Sequence, residues 1–416
     1  MTSKHVIAAL LAPSLENAVD IVEAAMVEVV PEELHQEEGI LEAEVLEVIE
    51  AQQDIEDTEE AIEEMEAVSV GLEAIYDTVE AQLKQGGLDP IAAQFMNIGL
   101  ESYNQRLNLK SEGVPSLEAF GGDTDRIQAT TVSMEAIKQR LKEIWNAIKA
   151  AVKAALEKLI AFFARVFSSV DKLATRAKAL IKKAGATKGK ADGKISYSGA
   201  GFLSVGGKTD LPSVKKGLGS LEDTLGQAFS KTESGSSDFF KNLSDFAKDV
   251  VDNKDVEVSM DELKAKVKGS FTYKSPEFSG GYTFEPNDNF GYAVVSHKSA
   301  SGSAEIDVPS LADVKSLGDS VLAIASKLSE GKKAVNAMKK EQDAAISAIE
   351  KMVSAVDGGK VHNFKAKAAA KIIIVAGRTN LNSPLAKLSS IAFTAGRSAV
   401  ALGEKALAAY KEEKAA

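Results

Sequence analysis

The sequence predicts a mainly α protein with a central α+β domain, in which long amphipathic helices accompany a small, mainly antiparallel sheet. Three observations carry this. Apolar residues recur at three-, four- and seven-residue intervals through long stretches of the 416 residues, the period of a helix with one buried face. Ala, Lys, Glu and Leu dominate many of those stretches and favour helix. Between residues 186 and 310 the pattern gives way to short β-branched and aromatic runs divided by Gly, Pro and Ser, the mark of strands and turns.

The first element lies in a segment, 5–83, without any Lys or Arg; residues 31–66 alone hold sixteen acidic residues. Leu41, Val45, Val48, Ile55, Ile62, Met65, Leu72, Ile75, Val79 and Leu83 form its apolar stripe, interrupted at Gln52 and Glu59. Like charges four residues apart cost a few tenths of a kcal/mol per pair. This helix is therefore expected to be long, acidic, weakly packed on itself and marginally ordered without a partner. "KQGGLDP" (84–90) ends it, and a shorter helix starts at Pro90.

"GVPSLEAFGG" (113–122) reads as a loop, which "GGDTDRIQATT" extends to about Ser133. Ser133 suits an N-cap and Glu135 a first turn. From there a long helix, or two in series, carries Ile137, Leu141, Ile144, Ile148, Val152, Leu156, Leu159, Phe163, Val166, Val170 and Leu173 on one face. Lys138, Arg140, Lys142, Lys149, Lys153, Lys158, Arg165, Lys172, Arg176, Lys178, Lys182 and Lys183 lie on the other, and Gly185 is a good stop. Three readings fit: a core helix with a solvated Lys-rich face, a surface for phosphate, or a membrane-surface helix in which Trp145, Phe162, Phe163 and Phe167 oppose the lysines.

Strands are expected in "KISYSGAGFLSVGG", "GSFTYKSPEFSGGYTFEP" and "FGYAVVSH", with helical pieces at 237–251 and 259–267. The Phe and Tyr of 271–292 read as core residues, because Lys274 is the one basic residue among them. "SLAD" (310–313) is a capping box opening a helix through about Val356. Helices follow at about 364–377 and 384–412, the latter with Ser383 as cap and Pro384 in its first turn. The domains so delimited are 1–118, an acidic helical leader; 119–185, a loop plus the long basic helix; 186–310, a small α+β domain; and 311–416, a helical region.

Chemistry is sparse. Without Cys there are no disulfides or thiolate sites, and the four His are far apart. Residues 1–18 make a poor secretory signal, and no apolar run reaches the roughly 18–20 residues of a membrane span. "GFLSVGGKT" (201–209) ends like a phosphate-binding loop, but the required Gly falls on Phe202, and Pro212 argues against a following helix. Nucleophile-elbow and zinc-protease motifs are absent. The paired carboxylates of 31–66 lie in a run of like charge rather than in the distinct environments catalysis requires. No catalytic residue, cofactor or metal ligand is assigned, and the expectation is a non-enzymatic protein.

Charge is the informative property. Through Glu118 there are 4 Lys+Arg against 27 Asp+Glu, a net of −23; from Ala119 there are 45 against 34, a net of +11. At the reversal stands Ser116-Leu117-Glu118 followed by Ala119; Ser133-Met134-Glu135 followed by Ala136 repeats the pattern, and Ser14-Leu15-Glu16 lies near the start. Ser220-Leu221-Glu222 and Ser303-Ala304-Glu305 match the tripeptide too. An acidic helical leader, this motif in a Gly/Pro loop and a basic remainder together resemble the inner-head proteins of giant phiKZ-like tailed bacteriophages, in style over roughly residues 60–185.

The resemblance implies a virion structural protein of the capsid interior, present in the host cytoplasm before assembly. It implies a propeptide that the phage maturation protease removes after Glu118, Glu135 or both during capsid maturation. Other head or core proteins are the expected partners of the acidic helix. The basic remainder, packaged with DNA, would gain by counterion release through sequence-independent phosphate contacts. Cutting at Glu135 as well would leave 136–416 at +13. The alternative is a membrane-active or membrane-peripheral helical protein whose acidic leader masks a basic helix.

Overall fold

The computed structural model describes residues 38–107, 115–197, 199–252, 271–287, 291–297, 304–357 and 384–410. They fall into two compact units, Gln53–Glu157 and, in the main, the described residues from Lys158 onward.

The first unit is helical. Helix α1 (Glu38–Leu83) ends where Gly86 and Gly87 take positive φ, which L side chains rarely adopt. Helix α2 (Pro90–Arg106) starts immediately, with Asp89 accepting the Ala92 N–H at 2.7 Å as N-cap and proline in the first turn. It returns antiparallel along α1. Arg106 reaches Glu64 at 2.7 Å, Gly99 meets Ile75, and Tyr103 meets Gly71. A Cβ at Gly71 would lie 2.1 Å from the Tyr103 hydroxyl oxygen, so this glycine sets how closely the two helices approach.

A 3-10 turn (Leu117–Phe120) leads into α3 (Asp123–Ala186), whose first part belongs to this unit. Thr130 Oγ1 accepts the Leu88 N–H at 2.9 Å, and Arg126 Nε donates to the Gly86 carbonyl at 3.0 Å. The start of α3 thus clasps the α1–α2 turn. Ile55, Ile62, Met65, Leu72 and Val79 are all buried. The acidic helix therefore has packing partners within its own chain. Its charged face stays in water while the stripe residues from Ile55 to Val79 are buried or half-buried.

Ser133 does not open the long basic helix. It is no N-cap: α3 begins at Asp123, ten residues earlier, and Ser133 is a buried interior residue whose hydroxyl donates to the Ala129 carbonyl at 2.9 Å. Thr130 and Thr131 bond back in the same manner, so polar residues that resemble a loop are satisfied inside a helix.

The second unit packs the rest of α3 with α5 (Leu211–Asp252), α6 (Leu311–Asp357) and α7 (Pro384–Ala408); α5 and α7 both run along α6. Phe163 of α3 meets Phe162 edge-on at 5.3 Å and Phe229 of α5 at 6.4 Å. Gly331 of α6 makes room for that ring, since a Cβ there would lie 2.3 Å from Phe229. Helix α7 is buried on nearly all sides, as an Ala-, Gly- and Ser-rich sequence permits. Gly396 and Gly403, seven residues apart, face Leu173 and Leu180 of α3, also seven apart.

Two antiparallel two-stranded ladders complete the unit. Strand β1 (Lys194–Tyr197) pairs with β4 (Ala304–Asp307), and β2 (Tyr282–Asn287) with β3 (Gly291–Ser296). Phe284 stacks on Tyr292 with centroids 4.6 Å apart, and Phe271 meets Tyr292 edge-on at 5.4 Å. All three rings are buried, so these aromatics form a core.

The helical pieces expected around 237–251 are part of one 42-residue helix, α5. Pro212 starts it rather than preventing it, because Asp210 accepts the Ser213 N–H at 3.0 Å as cap and proline suits a first turn. One of its glycines serves packing: a Cβ at Gly217 would lie 2.5 Å from Val205. A short helix, α4 (Ala200–Leu203), precedes it. Expected helices at 259–267 and 364–377, and the Ser383 cap, lie outside the described residues.

The box at the start of α6 forms as read. Ser310 Oγ donates to Asp313 Oδ2 at 2.6 Å and accepts the Asp313 N–H at 3.2 Å. Lys215 of α5 adds an ion pair at 2.6 Å. The Lys215 hydrogen bond first, and Ser310 next, hold this carboxyl below its ordinary value of 3.8. A depressed folded pKa means stabilisation that is complete above the ordinary value and lost as pH falls through the folded one. Asp313→Asn is expected to cost about 1 kcal/mol at neutral pH. Urea titrations of the two proteins should converge in acid; a gap that persists there would assign the effect to something other than this carboxylate.

Candidate functional site

The turn at the charge reversal is built to be exposed on one side and anchored on the other. Ser116 precedes the 3-10 turn in extended conformation; Ser116, Leu117 and Glu118 are exposed, and Ala119 is half-buried. Phe120 is 1% exposed and pins the turn to the helices of the first unit. Met134 and Ala136 are half-buried and Glu135 exposed, within the continuous α3. Of the other Ser-x-Glu matches, Leu221 is fully buried inside α5, and Ala304 and Glu305 belong to β4. Ser14-Leu15-Glu16 lies outside the described residues.

The cations of α3 do not share one face. At ~100° per residue, Lys138, Lys142, Lys149 and Lys153 fall within about 60° of one another. They belong to the first unit. Lys158, Arg165, Lys172, Arg176 and Lys183 fall within about 40° of one another by the same measure. They belong to the second. By the same measure Arg140 lies well away from the first row, and Lys178 and Lys182 well away from the second. Lys138 is 3.9 Å from Glu135, Arg140 2.9 Å from Glu143, and Lys149 lies 6.0 Å from the Trp145 ring centre. Lys142, Lys153, Arg165, Lys172, Lys182 and Lys183 are exposed; Lys158 is half-buried.

Arg176 Nη2 bonds Glu404 of α7 at 2.9 Å. Close by, Ser169, Lys172 and Arg176 of α3 and Arg397 of α7 line one cleft with Leu173, Phe393 and Val400. Sequence reading included Lys172 and Arg176 but missed Ser169 and Arg397, which stands more than 200 residues further along the chain. The available signal was a lone Arg in the small-residue sequence "SSIAFTAGRSAVALG".

Elsewhere, Gly206 and Gly207 both have positive φ and form a tight turn closed by Val205 and Lys208, so the phosphate-loop-like stretch is a hairpin end. Burial raises the Tyr197 hydroxyl to about 12, which leaves it protonated at neutral pH. Among the described residues, no cluster of His, Asp and Glu could hold a metal ion, and no helix is long and apolar enough to cross a membrane.

A family model, phiKZ-like phage internal head proteins, matches residues 22–396. Neither a curated protein nor a solved structure matches the chain. The family match spans the acidic helix, the charge-reversal turn, the basic helix and the first half of α7, and so takes in described parts of both units. On this evidence the chain belongs to the phiKZ-like phage internal head proteins.

Proposed function

We propose that this internal head protein is a structural, non-enzymatic precursor, cut by the phage maturation protease after Glu118 and then after Glu135. Its basic remainder is packaged against DNA through non-specific phosphate contacts. The observation that carries this reading is the exposed turn at Ser116–Glu118, set where a net −23 segment meets a net +11 segment. An exposed, small-residue turn is the preferred geometry for a protease. Before cutting, the leader offsets the basic rows and offers head or core proteins an acidic surface; departure of the leader after the cut removes that offset.

The packing of the first unit adds a consequence. Helices α1 and α2 share a core with the start of α3. Cutting the turn severs the chain without separating the pieces, so the leader leaves only when that core opens.

Intact mass and N-terminal sequencing of the protein from mature particles test the proposal. An N-terminus at Ala119 or Ala136 is the expected result. A chain still starting at Met1 or Thr2 overturns it and makes the acidic helix part of the working protein.

A further inference from the structure

We infer that the outward face of α2 is a docking surface for a Lys/Arg-rich amphipathic helix of another protein, seated along Ile91, Phe95 and Ile98. These side chains are 67%, 71% and 56% exposed, the most exposed large apolar ones among the described residues. At ~100° per residue they fall within about 60° of one another. Ser102, also exposed, continues their line. The spacing of four, three and four residues is that of a coiled-coil seam, along which one helix lies on another.

The fold of the first unit does not use this face. Ala93, Met96, Leu100 and Asn104, on the opposite side, are the residues that α2 buries. A helix that packs by one face ordinarily turns charge to water on the other. Here Pro90–Leu100 holds no charged residue, inside a leader with 27 acidic ones. A contiguous apolar stripe kept free of charge marks an interaction site, whereas single exposed apolar residues do not. The stripe is also held in place. Asp89 caps the helix, a Cβ at Gly99 would lie 3.0 Å from Ile75, and Arg106 donates to both Glu64 carboxylate oxygens, at 2.7 and 3.0 Å. A surface already in its bound shape loses little entropy when a partner arrives.

Charge selects the occupant. Three side chains fall well short of the ~800 Å² that each partner contributes to a stable interface, so apolar contact needs a second attraction. The first unit, Gln53–Glu157, holds 9 Lys+Arg against 20 Asp+Glu, a net of −11 that ion pairs inside the unit cannot cancel. A second copy brings charge of the same sign, and an anionic bilayer is repelled in the same way. A helix with an apolar seam and basic flanks is attracted by the unit and covers the stripe. Helix α2 precedes Glu118, so this dock leaves with the leader; the inference rests on the proposed processing only for that timing.

The test uses the full, uncut chain, so its outcome is independent of the processing. The probe is a fluorescein-labelled synthetic three-heptad helix with Leu at a and d and Lys elsewhere, titrated by anisotropy. The same peptide with Glu in place of Lys is the control. The variants are Phe95→Gln and the triple Ile91→Gln/Phe95→Gln/Ile98→Gln. All three positions are exposed and Gln is a good helix former, so the fold should hold, as the thermal midpoint will check. Phe202→Gln, at a 51% exposed position of the second unit, controls for general apolar contact. The Lys peptide should bind wild type and Phe202→Gln alike. The triple variant should lose about tenfold or more in affinity, Phe95→Gln somewhat less, and the Glu peptide should not bind.

Equal affinity for wild type and the triple variant would overturn the inference, because charge alone would then draw the peptide. So would a wild-type dimer in sedimentation that the triple variant loses, which would make a second copy the occupant. Flotation with neutral lipid vesicles that depends on Phe95 would overturn it in favour of a membrane. Peptide binding that appears only once residues 1–37 are deleted would also overturn it, since the chain's own first residues would then be the occupant.

Discussion

Glu118→Gln is expected to leave the chain uncut at both Ser-x-Glu positions, whereas Glu135→Gln should still be cut after Glu118. The reason is the different conformations of the two tripeptides. Residues 116–118 are exposed in a short turn that opening locally would present to a protease. Residues 133–136 lie inside α3, with Ser133 fully buried and Ile137 1% exposed. Cutting after Glu135 requires α3 to unwind from its start, breaking the Leu88–Thr130 and Arg126–Gly86 hydrogen bonds.

Where opening and closing are fast, cleavage tracks the population of the open form. An opening cost of about 3 kcal/mol, modest for a packed helix end, lowers that population by roughly 100-fold. Severing the turn lowers this cost, because the leader is no longer tethered and the end of α3 becomes a chain end that can fray. The order is therefore Glu118 first, loss of the leader, then Glu135. Intact mass over a time course with the maturation protease reads it directly. A fragment starting at Ala136 that forms from Glu118→Gln at the wild-type rate would break the order. Size-exclusion chromatography of the Glu135→Gln product should show the severed leader still co-eluting with the remainder.

How far this was legible from sequence depends on which physical signal each residue gives. Helix ends with strong chemistry were readable: Asp89-Pro90 opens α2, Gly86-Gly87 ends α1, and Ser310 and Asp313 open α6. The apolar stripes of α1 and α3 were also readable, since Ile55, Ile62, Met65, Ile144, Ile148, Val166 and Val170 are buried as their spacing requires. Local composition misled where tertiary contact decided. "GGDTDRIQATTVS" has the content of a loop, yet Thr130, Thr131 and Ser133 bond back within the helix. "KKGLGSLEDTLGQ" has glycines that usually break helices, but at Gly217 the neighbouring Val205 requires the absence of a side chain. The cleft on α7 was illegible for another reason: its cations come from segments far apart in sequence, and only packing brings them to one place.

Phe163→Ala is expected to be the most damaging single change in the second unit, at about 3–5 kcal/mol. The side chain is 2% exposed and stands where α3 meets α5. Its edge-on contacts with Phe162 and Phe229 contribute beyond the area they bury. Relaxation into the vacated space is limited, because Phe229 already occupies the room that Gly331 leaves on α6. A cavity that cannot collapse puts the cost toward the upper part of the range. Phe163→Leu keeps most of the volume and should cost much less, about 1–1.5 kcal/mol.

Urea denaturation followed by far-UV circular dichroism checks both. The transition of the second unit should move to lower urea while that of the first unit stays in place, since Phe163 lies outside the residues grouped there. A small loss for Phe163→Ala would mean that this junction is loosely packed. The same junction positions Lys158, five residues before Phe163 on α3, and Arg165 and Lys172, two and nine residues after it, so their row is straight only while the aromatic contacts hold. Loosening the core should therefore weaken phosphate contact without removing a single charge, which separates the geometry of the basic row from its net charge.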